Sequence, residues 1–128
     1  MAFLVAACAT TSTAVLKPSV SIRDAPEEAR LYLTIRNDLH FPICLYSTNW
    51  PDGAGVIEQA ASRAWIEVEG QRFAMNDLDG GYCPGCRMKL DPRQSATAFV
   101  RYADFNLPEA LGSHRKSLHF QPEAQPCN

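Results

Sequence analysis

The residues with the most chemistry to offer in this 128-residue chain are its five cysteines, of which Cys44, Cys83, Cys86 and Cys127 fall in the part of the sequence that reads as the folded domain. The Cys83-Pro-Gly-Cys86 segment admits three uses: a staple, a redox pair or half of a zinc site. A catalytic dithiol sits at the N-terminus of a helix, whose dipole lowers the thiol pKa. Here Arg87-Met-Lys-Leu runs straight into Asp91-Pro92, too short for such a helix, and no β-α-β pattern precedes it. Zinc needs two further ligands, which Cys44 plus Cys127 or His119 could supply only by folding together, and a second Cys-x-x-Cys is absent. A structural bridge asks least, because Pro-Gly at the centre of a β-turn brings residues three apart to within about 7 Å. Closing Cys83 on Cys86 leaves Cys44 for Cys127, a long loop worth on the order of 4 kcal/mol on the chain-entropy account. The crossed pairings, Cys44 with Cys83 or with Cys86, stay open.

Other candidate groups carry less. A copper or zinc carrier would draw on His40, His114 and His119 with Met75 or Met88, but alternation puts His119 on the solvent face of a strand and His114 in a polar loop. Asp77 and Asp79 resemble the start of a calcium loop, yet the twelfth position would be Cys86, so the EF-hand spacing fails. No Gly-x-Ser-x-Gly occurs, and no local spacing fixes Ser, His and Asp together, so no catalytic residue and no cofactor are expected. Trp50, in Asn-Trp-Pro-Asp-Gly, is either a cap on the core or a contact for a partner, with Tyr82, Tyr102 and Phe105 as neighbours. Trp65 reads as strand core.

The fifth cysteine stands apart. Met1-Ala-Phe-Leu-Val-Ala-Ala-Cys8 is apolar and ends in small residues directly before the thiol. It resembles the lipobox of bacterial lipoproteins, with Val5, Ala6 and Ala7 at the three preceding positions and Cys8 as the acylated residue. The resemblance covers eight residues, lacks the usual Lys or Arg before the apolar stretch and is shorter than a usual signal; a true start further upstream accounts for both, the alternatives being a frayed N-terminus with a first strand in it or an ordinary cleaved signal without lipid. Residues 9–21, rich in Thr, Ser and Ala, then read as a flexible tether, and 22–128 as the domain. Consuming Cys8 in a lipid leaves an even number of cysteines in a compartment where disulfides persist.

The elements that must position these groups are short strands. Residues 30–36 alternate strictly, with Leu31, Leu33 and Ile35 on one face. Residues 41–46 return as a second strand, for which a hairpin through Asn37-Asp38 is the simplest joint. Residues 47–55 are a breaker-rich loop, and 56–61 make one helical turn or a weak edge strand. Strands at 64–69 and 72–75 form a second hairpin, followed by a loop over 76–85 and strands at 87–90, 95–102 and 116–121. A single helical turn fits 108–111. About seven short strands at this spacing argue for an all-β fold, an immunoglobulin-like antiparallel β-sandwich stapled by disulfides.

Formal net charge is −2, with twelve basic and fourteen acidic side chains interspersed. That balance offers no clustered cations for nucleic acid. As a whole the chain resembles the small lipoproteins of Gram-negative envelopes. The resemblance implies a periplasmic or outer-membrane location, membrane attachment through the lipid on Cys8, and a non-catalytic module that binds or inhibits another envelope protein, with Trp50 and Tyr82 as its contacts. The rival expectations are a redox or metal-handling envelope protein using Cys83 and Cys86, and a structural envelope domain with no dedicated ligand.

Overall fold

The computed structural model describes residues 15–77 and 87–127, and every strand pairing among them is antiparallel. In chain order the strands are β1 (Val20–Ala25), β2 (Arg30–Arg36), β3 (Ile43–Tyr46), β4 (Ala64–Val68), β5 (Gln71–Ala74), β6 (Arg87–Leu90), β7 (Ser95–Arg101), β8 (Ser117–Phe120) and β9 (Gln125–Pro126). They form three three-stranded sheets, ordered β1-β2-β7, β6-β3-β9 and β5-β4-β8. The chain is thus all-β and antiparallel, as the strand spacing indicates, with nine strands among the described residues in place of about seven.

Alternation does the work locally. Leu31, Leu33 and Ile35 of β2 are buried, while Tyr32 and Thr34 face outward, where Thr34 meets Thr97 of β7 across the ladder at 3.0 Å. Tyr32 and Phe99 pack edge to face on the same surface, capped by the guanidinium groups of Arg23 and Arg30. In β4 it is Ala64, Ile66 and Val68 that turn inward. Trp65, expected in the core, is therefore on the outer face, sandwiched between His119 and Arg72. The β4–β5 hairpin turns through Glu69 (φ 49°) and Gly70 (φ 79°). Two left-handed residues in succession match the right-handed twist of a two-residue hairpin.

Four further expectations need correcting. β2 and β3 do not form a hairpin: β2 pairs with β1 and β7, and β3 with β6 and β9. Asn37 sends the chain out of the first sheet, because its backbone is tied to Arg93 and Gln94 and its buried amide donates to Leu90 O (3.0 Å) and Phe41 O (2.9 Å). Order also starts earlier than the 9–21 tether allowed, since Leu16 bridges Ala124 and β1 begins at Val20. Residues 56–61 are neither helix nor strand; Val56, Ile57 and Ala60 plug the core from an irregular loop. Finally, the strand at 95–102 gives way at Tyr102 to a 3-10 turn, Tyr102–Phe105.

One hydrophobic core serves all three sheets, drawing on Leu31, Ile43, Ile66, Leu90, Val100 and Phe105, with Trp50 among them. A disulfide joins Cys44 in β3 to Cys127 just past β9, with Cα atoms 5.2 Å apart and a sequence separation of 83. Closing so long a loop stabilises the fold by about 4–5 kcal/mol on the chain-entropy account.

Candidate functional site

The most informative geometry lies between the edge strands β1 and β8. Leu16 and Ala124 exchange two backbone hydrogen bonds of 2.9 and 2.8 Å, starting an antiparallel ladder. Pro18 and Pro122 come next on the two segments, and neither has an N–H with which to continue it. Only the Gln121 side chain reaches across, donating Nε2–H to Pro18 O at 3.0 Å. Beyond that point β1 bonds to β2 and β8 to β4, and among the described residues no backbone hydrogen bond joins β1 to β8. The result is a seam: a groove of about 440 Å³ lined by Ile22 and Asp24 from β1, Leu31 from β2, and the 115–118 segment.

Ile22 marks what is unusual about the seam. It stands opposite Leu33 in the β1–β2 register, and directly paired residues share a face of the sheet. Leu33 is 0% exposed, yet Ile22, on the same core-facing side, is 41% exposed. Leaving that much of an isoleucine in water forgoes about 1 kcal/mol of burial. Leu31 and Leu118 form the apolar floor beneath it.

The far end of the seam is closed by charge. Lys116 Nζ donates to Asp24 Oδ2 at 3.0 Å and to the carbonyls of His114 and Gly112, and it lies 4.5 Å from the centre of the Tyr102 ring. Its side chain is fully buried, and all three ammonium protons have acceptors. Tyr102 Oη in turn donates to Asp24 Oδ1. Burial, this hydrogen bond and the negative charges of Asp24 and Glu27 together push the Tyr102 phenol well above its ordinary value. Every donor in the triad is spent on a neighbour, so the arrangement clamps β1 to the segment before β8.

The residues expected to act from sequence fall out differently. Trp50 is 6% exposed and packs in the core, so its ring offers no free surface to a partner; it fills the core-cap role. The loop around it is tied inward by Arg63, which donates to Thr48 O and Asn49 Oδ1, and by Asn49 Oδ1 accepting from Glu123 N–H. Cys8, Tyr82, Cys83 and Cys86 lie outside the described residues. His119 stacks on Trp65 with centroids 5.2 Å apart and meets Glu67, while His114 meets Glu69. Trp65 Nε1 is buried without a partner among the described residues. Met75 is in the core, and no group of three or more His, Cys, Asp or Glu suited to a metal occurs among the described residues. No described helix is long and apolar enough to cross a membrane.

Sequence reasoning missed Ile22, Asp24 and Lys116. A signal was present: Val20-Ser-Ile-Arg alternates as a strand, and Pro18 and Pro122, each two residues inside the Leu16–Ala124 bridge, mark where a ladder must stop. The chain matches no protein-family model, no curated protein and no solved structure.

Proposed function

We propose that this chain is a non-catalytic protein-binding module of a bacterial cell envelope, tethered through lipid on Cys8, which takes up an extended segment of its partner along the β1–β8 seam. The observation that carries the reading is the exposed Ile22 on the core-facing side of an edge strand. An added strand would satisfy the backbone groups that β1 presents on its free edge, while its apolar side chains cover Ile22, Leu31 and Leu118. Lys116 is neutralised by Asp24, whereas Arg115, exposed at the rim, has no carboxylate partner among the described residues. The bound segment is accordingly acidic where it passes Arg115.

A photo-crosslinking residue at position 22 in the full chain, expressed in a Gram-negative envelope, tests this directly. A crosslinked partner peptide is expected, and its synthetic counterpart should protect β1 amides from hydrogen exchange. Crosslinking no stronger at position 22 than at Gln71 on the exposed edge of β5 would overturn the reading.

A further inference from the structure

A second surface lies where the chain leaves the domain toward Cys8. Val15, Leu39 and Phe41 are 54%, 38% and 41% exposed, Val15 next to the Leu16–Ala124 bridge and the other two in the connection between β2 and β3. Leu39 and the 16–19 segment wall the same cleft of about 300 Å³, together with Arg36 and Asp38. The loop that presents Leu39 and Phe41 is held rigidly. Buried Asn37 accepts the Leu39 N–H at 3.0 Å and donates to Phe41 O at 2.9 Å, and Cys127 N–H reaches Pro42 O at 3.1 Å beside the disulfide. These hydrogen bonds hold the backbone that presents Leu39 and Phe41 at the surface.

Charge and chain length point to one occupant. Arg36 is paired with Asp38, but exposed Lys17 has no carboxylate partner among the described residues, leaving a cation beside the apolar patch. An anionic headgroup layer is attracted by such a cation and accepts apolar rings at its acyl boundary. Residues 9–14 separate Cys8 from Val15, a span of at most about 25 Å when fully extended. Lipid on Cys8 would keep this end of the domain next to the bilayer.

We infer that Val15, Leu39 and Phe41, with Lys17, seat this end of the domain on the bilayer that holds the Cys8 lipid, so that the Asp24–Lys116 end of the seam points away from the membrane. The inference rests on the lipid-anchor reading given above and adds an orientation to it.

The test uses the full chain acylated at Cys8, in phosphatidylethanolamine and phosphatidylglycerol vesicles with and without brominated acyl chains. Phe41→Trp should lose about half of its added emission to the brominated lipid, since an interfacial ring sits roughly 5–10 Å into the headgroup boundary. Ile22→Trp should lose none. Equal quenching at both positions, or none at position 41, overturns the inference. So does a blue shift of the emission added by Phe41→Trp that grows with protein concentration in the absence of vesicles, which would mean that a second copy covers the patch. The unacylated Cys8→Ser chain separates the two readings. Its sedimentation with phosphatidylglycerol vesicles should weaken about tenfold in Leu39→Asp/Phe41→Asp, because both apolar contacts at the boundary are lost. Intact mass of the native protein reports acylation independently, so a missing lipid and a missing surface give different results.

Discussion

Asp24 lies eight residues past Leu16, and Lys116 eight residues before Ala124, so the pair continues the antiparallel register of the Leu16–Ala124 bridge while meeting through side chains alone. A ladder begins, opens at two prolines and is closed again by an ion pair. Both strands remain edges over the interval, and an unpaired edge is a template for another strand.

That closure should dominate local stability. Asp24→Ala leaves a fully buried ammonium with only two carbonyls, and should cost about 3–5 kcal/mol. Lys116→Met leaves Asp24 partly exposed and still bonded to Tyr102, so its cost should be smaller, about 2–3 kcal/mol. In urea melts the Asp24→Ala/Lys116→Met double variant should be less destabilised than the sum of the singles. Strict additivity would show that the two groups do not depend on each other.

Tyr102 gives the fold a dependence on alkaline pH. Its folded pKa lies above the unfolded value of about 10, so as pH rises past 10 the unfolded chain loses the phenolic proton first. The unfolded state then binds fewer protons than the native one, and stability falls with rising pH. Stability from this group is fully present below about pH 10. Tyr102→Phe should lower stability by about 1 kcal/mol at neutral pH and show a shallower decline between about pH 9 and 11.5. Parallel slopes for the two proteins would remove Tyr102 as the cause.

Gly55 should be replaceable only at a cost. Its φ of +82° is left-handed, and a Cβ there would lie 2.8 Å from the Phe99 ring and 3.0 Å from Phe99 O. Gly55→Ala should destabilise by about 1–3 kcal/mol, since the backbone oxygen cannot rotate away. Gly53→Ala, with nothing within 4 Å, should change the urea midpoint little. Similar midpoints for the two variants would mean that the loop does not press on β7.

The strands that were legible from sequence are those whose two faces differ. Leu31, Leu33 and Ile35 against Tyr32, Thr34 and Arg36 leave no ambiguity, and the Glu69-Gly70 turn announces its hairpin. Partner choice was not legible, because pairing β2 with β7 rather than β3 depends on Asn37 capturing groups more than fifty residues away. Trp65 was misplaced by residue type. Aromatics favour strands whether they face in or out, and here the neighbours Ala64 and Ile66 set the inward phase. The seam was invisible for a different reason: a missing ladder is a property of two distant segments, and Pro18 and Pro122 acquire meaning only once Leu16 and Ala124 are known to pair.

Trp50 and Ile22 separate stability from binding. Trp50 is buried in the shared core, so Trp50→Ala should cost about 3–5 kcal/mol and reduce partner capture only in proportion to the folded fraction. Ile22 is already partly in water, and Ile22→Asp should cost only about 1–2 kcal/mol, less than the core variant. Partner binding, read by titrating the crosslinked segment as a peptide, should nonetheless fall at least about tenfold, because a charge would then sit on the apolar floor beneath the added strand. An Ile22→Asp protein that stays folded and binds the peptide as the parent does would move the binding surface away from the seam. A Trp50→Ala protein that stays folded but loses the peptide would place that surface at the loop end of the domain.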